Sequence, residues 1–247
     1  MLPGKCGCPG NPATPFGGPA SGLWPSGSGG AESAGAGIAA AGIVSCRMAN
    51  LISTCFTACV GVTPCGFFPV TPPGTVQFTA NTVMLGNDGA GNSLGLLAAS
   101  HAPTLDALNA TLQFRVIEFN QFPGSFAVIV TDTTGFGVLQ VQLFSDGTLF
   151  VVVGALQYNG TWTPSVGADF LVHYETIAGV PHLFLNNVEV SLTLFGPNAN
   201  FISPDIILVG GESSVPNNKG TYDFLFVDTT PLPPTVNFCC PDGMSSR

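Results

Sequence analysis

Charge is what this chain most lacks. Asp, Glu, Lys and Arg make up 8% of its 247 residues, where an average soluble domain has about 25%. The cations are Lys5, Arg47, Arg115, Lys219 and Arg247 and the net charge is −9. No basic stripe exists to neutralise phosphates, which excludes nucleic acid as a partner. Long apolar runs are missing as well. The stretch AGAGIAAAGIVSC is short, glycine-rich and followed at once by Arg47, well under the roughly 18 clean apolar residues of a membrane-crossing helix. No membrane span is expected. The opening MLPGKCGCPG has no basic end followed by an apolar run, so no secretory signal is expected there.

Cysteine is absent from Gly66 to Phe238. Cys6, Cys8, Cys46, Cys55, Cys59 and Cys65 precede this region and Cys239 and Cys240 follow it. Thiols confined to the ends of a chain suit fastening and cross-linking better than the support of a thin core. Eight cysteines allow 105 pairings, and the spacing selects none of them. A thiolate metal site is the rival reading, but Cys-x2-Cys knuckles and paired histidine motifs are missing, so no metal site is assigned. With free thiols, these residues would act as small buried hydrophobes.

What is present is apolar and rich in turns. Hydrophobic residues reach 45%, with 19 Phe, beside 32 Gly and 21 Pro. That composition excludes general disorder, which pairs low hydrophobicity with high charge. It also implies a largely uncharged surface, useful where neighbouring subunits cover it, and so an assembly is expected: a homo-oligomer, with a trimer as the guess, and other proteins such as a capsid protein around it. Four parts are expected. Residues 1–37 form a Pro/Gly/Ser-rich arm, 38–74 a Cys-containing attachment segment, 75–230 a sandwich, and 231–247 a Cys-containing tail. Within the attachment segment, Ile38, Ala41, Ser45, Met48, Ile52, Cys55, Cys59 and Val62 recur every three or four residues. This predicts one short helix capped by Ser45, with a loop draped over the sandwich as the alternative.

From residue 75 the chain becomes a series of short β-rich runs. In VLQVQLFSDGTLFVVV the Asp146-Gly147 pair reads as a two-residue turn. It predicts a core-facing patch of Leu143, Phe150, Val141 and Val152. Asn159-Gly160 marks another turn; Ile207 and Val209 share one face of a later run, and Tyr222, Phe224 and Phe226 one face of the last. With no amphipathic helices interleaved, the pattern is all-β: two antiparallel sheets packed face to face. The succession SDGTLFVVV, NGTWTPSVGADFLVHYE, GVPHLFLNNVEV, IILVGG and GTYDFLFVD resembles the concanavalin A-like, laminin-G-type jelly roll over about residues 75–230. Thr163 stands where many members of that family have His after the Trp, and Asn187 where Gly usually completes the turn. Because the family's sugar and calcium ligands lie in variable loops, the resemblance carries no ligand residue over.

Catalytic patterns are scarce. Glucanases of the resembling fold use a Glu-x-Asp-x-Glu strand, whose alternation sets the carboxylates on one face. Here Glu118, Glu175, Glu189 and Glu212 are each isolated in sequence, so no enzyme is expected. A turn near Ile177-Ala178 would set His173 opposite His182 as two ligands of a metal site, against exposed strand histidines as the plainer reading. Asp88, Asp132, Asp146 and Asp228 are possible calcium ligands, though turn chemistry explains them more simply. Trp162 and Tyr158 are candidate sugar-stacking residues, as are Trp24 and Tyr174, and each competes with a core role. Asn109 and Asn159 lie in glycosylation-type triplets. The leading expectation is a non-enzymatic virion protein, a capsid decoration or fibre component on the particle surface or otherwise extracellular, anchored by its cysteine-bearing tails. The alternative is a secreted or cell-surface lectin module binding a glycan through its loops.

Overall fold

A computed structural model describes residues 46–47, 49–56, 67–72, 74–78, 82–86, 94–101, 104–119, 124–164, 169–198, 202–213 and 219–238. Alternation of apolar and polar residues, broken by glycine and asparagine turns, folds these into two antiparallel sheets. The first runs from edge to edge through β15 (Thr193–Pro197), β11 (Leu156–Thr161), β10 (Thr148–Gly154), β9 (Val138–Phe144), β8 (Gly124–Thr131), β16 (Ile206–Ser213), β6 (Leu94–Ser100) and β3 (Phe68–Pro69). The second runs through β14 (Val188–Val190), β13 (Val180–Leu185), β12 (Phe170–Ile177), β7 (Ala110–Phe119), β17 (Lys219–Asp228), β5 (Val83–Gly86) and β4 (Val76–Phe78). A further strand, β2 (Ile52–Cys55), pairs with β17, and a two-residue parallel ladder joins β1 (Cys46–Arg47) to β18 (Asn237–Phe238).

The expected two-sheet sandwich is therefore present. Its core lies between the sheets, with Val128, Leu139, Val141, Leu143, Val151, Ile207 and Val209 from one side meeting Leu112, Phe114, Val172, Tyr174, Leu183 and Tyr222 from the other. Two phenols cross the gap. Tyr174 donates to the Val152 carbonyl (3.2 Å) and Tyr222 to that of Gly210 (2.8 Å), and burial raises both phenol pKa values.

Local expectations need four corrections. No helix occurs among the described residues; the stretch from Cys46 contributes β1 and β2 instead, because β2 gains ladder hydrogen bonds from β17 that outweigh a weak helical period. The β9–β10 hairpin pairs Leu143 with Leu149 and Val141 with Val151. Gly147, at φ +89, adds a third loop residue after Ser145 and Asp146. The register moves by one, sending Phe150 and Val152 to the outer side with Gln140 and Gln142. Asn159-Gly160 lies within β11 and is no turn, since β10 turns at Gly154 (φ +58) and Ala155. Gly160 is there because a Cβ would sit 3.0 Å from both Leu149 Cδ1 and the Ser191 carbonyl. In β17 the register shifts around Asp223, and this bulge parts Tyr222 in the main core from Phe224 and Phe226, which pack outside it against Cys55 and Ala49.

Candidate functional site

Edge strands β14 and β15 belong to different sheets, and only Ser191 and Leu192 carry the chain between them. Beside this crossing the sandwich opens into a groove of about 340 Å³, lined by Trp162, Thr163, Asp169, Phe170, Leu185, Asn186, Val188 and Val190. Trp162 comes from the end of the first sheet and the remaining apolar residues from the second.

The Asp146-Gly147 turn sets the position of Trp162. The Trp162 amide donates to the Gly147 carbonyl at 2.8 Å and its indole Nε1 to the Phe144 carbonyl at 2.9 Å. Asp146 Oδ1 in turn accepts from the amide (2.8 Å) and hydroxyl (2.6 Å) of Thr148, and these bonds lower the carboxyl's pKa. The indole packs on Phe170, ring centroids 5.2 Å apart. A half-buried aromatic tied at its polar end leaves little freedom to its remaining face.

The facing wall is the β13–β14 hairpin, whose Asn186 (φ +50) and Asn187 (φ +65) form the two-residue turn favoured by a twisted ribbon. Asn186 exchanges two bonds with Leu171, donating its amide at 2.9 Å and accepting on Oδ1 at 2.8 Å. Among the described residues, neither its side-chain nitrogen nor the Thr163 hydroxyl is hydrogen-bonded. At the rim the Asp169 carboxylate holds the Arg115 guanidinium, whose other nitrogen lies 3.8 Å from Oδ2 of the buried Asp223.

Tyr158 is four residues before Trp162, between Val151 and Leu194 in the ladder. It packs against the core and does not line the groove. Tyr174 is fully buried, which removes it as a stacking surface. Among the calcium candidates, Asp132 Oδ1 accepts from the Thr134 amide and hydroxyl and the Gly135 amide, and Asp228 Oδ1 from the Thr230 amide and hydroxyl. These carboxylates, like Asp146, close turns, and no group of three metal-ligating side chains forms among the described residues. Asn109 is held by Asp106 and Ala178, and Asn159 by Gln157. Trp24, Asp88 and six of the cysteines lie outside the described residues. Of Cys46 only the backbone is described, whereas Cys55 is fully buried and disulfide-bonded.

The histidine pair is also corrected. The hairpin turns at Ala178-Gly179, one residue later than expected, so His182 pairs with Glu175 and His173 with Phe184. His173 is buried under the C-terminal segment, with Nε2 2.9 Å from the Leu232 carbonyl and Nδ1 3.3 Å from Gln113 Nε2. Burial lowers its pKa to about 4, leaving a neutral ring that donates from Nε2. The acids Glu175 and Glu189 are not isolated in space. Glu175 sits opposite His182, whose Nδ1 is 3.0 Å from Glu189 Oε1. Burial, opposed by His182 and reinforced by Glu189, raises the Glu175 pKa. Sequence spacing misses this row because its members come from three strands.

No family model matches the chain, and no curated protein matches it in sequence. Among solved structures, Bacillus licheniformis β-glucanase superposes with a TM-score of 0.50 at 6% identity, over 72% of this chain and 97% of that one. An HCR/D mutant superposes at 0.51 and 10% identity, over 74% of this chain and 48% of that one. Carbohydrate-binding module CBM66 from Bacillus subtilis reaches 0.44 at 11%, over 74% and 99%. The fold is thus that of the concanavalin A-like jelly-roll sandwiches. The expectation that the chain is no enzyme is corrected here. A β-glucanase is built on this fold, so a missing Glu-x-Asp-x-Glu strand excludes one catalytic pattern and not catalysis.

Proposed function

We propose that this concanavalin A-like sandwich binds carbohydrate, with the ligand lying in the groove against Trp162. The observation that carries the reading is a tryptophan fixed by one hydrogen bond from its amide and one from its indole, in an apolar groove whose rim offers Thr163, Asp169 and Asn186. Sugars present one apolar face and a ring of hydroxyls, which an aromatic surface bordered by hydrogen-bonding groups complements. The β-glucanase of the same fold takes its name from a glucan, which makes a saccharide the first ligand class to try. The disulfide at Cys55 supports an extracellular setting. No feature of the groove favours a capsid-decoration role, which takes second place.

The test is isothermal titration of the full chain against a panel of oligosaccharides. Trp162→Ala lowers affinity at least about tenfold, on the order of one aromatic contact with its buried area, whereas Tyr158→Phe leaves it unchanged. Equal binding by the Trp162→Ala protein would sink the reading.

A further inference from the structure

If the groove is a saccharide site, as proposed above, its charge arrangement narrows the ligand. We infer that it selects uncharged saccharides and turns away acidic ones such as uronates. Three groups carry the argument. Asp169 is the charged residue lining the groove and is half exposed, its side chain at 50%. Arg115, the cation beside it, is already engaged, with one nitrogen on Asp169 and another 3.8 Å from Asp223. Asp223 has a side chain only 2% exposed, and drawing Arg115 toward a ligand carboxylate would weaken the compensation of a buried charge. The chain as a whole carries a net charge of −9.

An acidic sugar therefore meets the Asp169 carboxylate and, among the described residues, a single neighbouring cation that carboxylates already hold. A neutral one meets matched chemistry. Its hydroxyls donate to Asp169 and accept from the Asn186 side-chain amide and the Thr163 hydroxyl, while its apolar face lies on Trp162 and Val188. Carboxylates accepting from ligand hydroxyls form charge-assisted bonds, stronger than neutral ones.

Titrations of the full chain with a neutral β-glucan hexasaccharide and a uronate hexasaccharide, matched in length, test this. At low ionic strength the neutral ligand binds about tenfold tighter or more, the order expected for one like charge near a protein surface. Added salt to about 0.5 M narrows that ratio in the unmodified protein by screening. Asp169→Asn narrows it further by removing the rim charge and freeing the Arg115 nitrogen that Asp169 holds, so that uronate binding tightens. Uronate binding equal to neutral at low salt, or a ratio untouched by both salt and Asp169→Asn, overturns the inference and leaves the carbohydrate reading standing. Failure of both ligands and of every other saccharide in the panel removes the carbohydrate reading itself, and this inference with it.

Discussion

Gly147 joins the turn to the groove. Its backbone is left-handed at φ +89, and a Cβ there would lie 2.9 Å from the Trp162 carbonyl, the residue whose amide it also receives. Gly147→Ala therefore strains the turn and displaces the indole. The expected outcome is a loss of about 1–2 kcal/mol in denaturant unfolding together with weaker saccharide binding, whereas a remote destabilising change would lower stability alone. Gly95 is a purely structural counterpart. A Cβ on it meets backbone atoms of Gly86 and Thr75 at 2.4 Å, and backbone cannot rotate away as a side chain can. Gly95→Ala is expected to cost about 3 kcal/mol or more, or to prevent folding, as read by urea midpoint and soluble yield. Neither requirement is visible from a glycine's neighbours in sequence, because the atoms it must avoid arrive from other strands.

Elements differ in how openly their sequence declares them. Alternating apolar residues in β9, β10, β12 and β16 announce strands with a buried face, and Ile207 and Val209 are buried as expected. Register is less legible, since one residue in a turn or a bulge inverts every side chain beyond it. Asp146-Gly147 and Asp223 are the two places where that happened. The groove was half legible. Trp162 stood out in the sequence, but Asp169, Asn186 and Arg115 converge on it only through pairing between β7, β12 and β13. The segment after β17 is another long-range feature: Thr111 donates to the Thr230 carbonyl and accepts from the Leu232 amide, both at 2.8 Å, above the neutral His173. That ring has a folded pKa of about 4, below the ordinary 6.5. Between those values the unfolded chain binds the extra proton, so stability is complete above pH 6.5 and falls as pH drops toward 4. The full effect is about 3 kcal/mol. His173→Gln, which keeps a donor for Leu232, should flatten this slope by up to one proton in unfolding free energy measured across pH 4–7.

For the molecule as a whole, low charge is the governing property. With a pI near 4.3 and 8% charged residues, repulsion between copies is weak at mildly acidic pH. Apolar side chains stand out along the β14–β15 flank, where Val188 is 69% and Phe195 70% exposed. Edge strands with few charges are prone to pair with other strands. Turbidity is expected to peak near the pI, and Phe195→Lys to reduce it at matched stability, as light scattering across pH 3.5–6 would read. The all-β class and the jelly-roll order were legible because they depend on composition and turn spacing along the chain. Which residues share the flank was not, because the crossing at Ser191-Leu192 folds two sheets onto one side.

The short parallel ladder between Cys46–Arg47 and Asn237–Phe238 has a mechanical meaning. Tension carried along the chain into Cys46 and out of Phe238 would load this parallel clasp in shear before it reached the strands of the sandwich. While the clasp held, such a pull would leave the groove beside Trp162 undeformed.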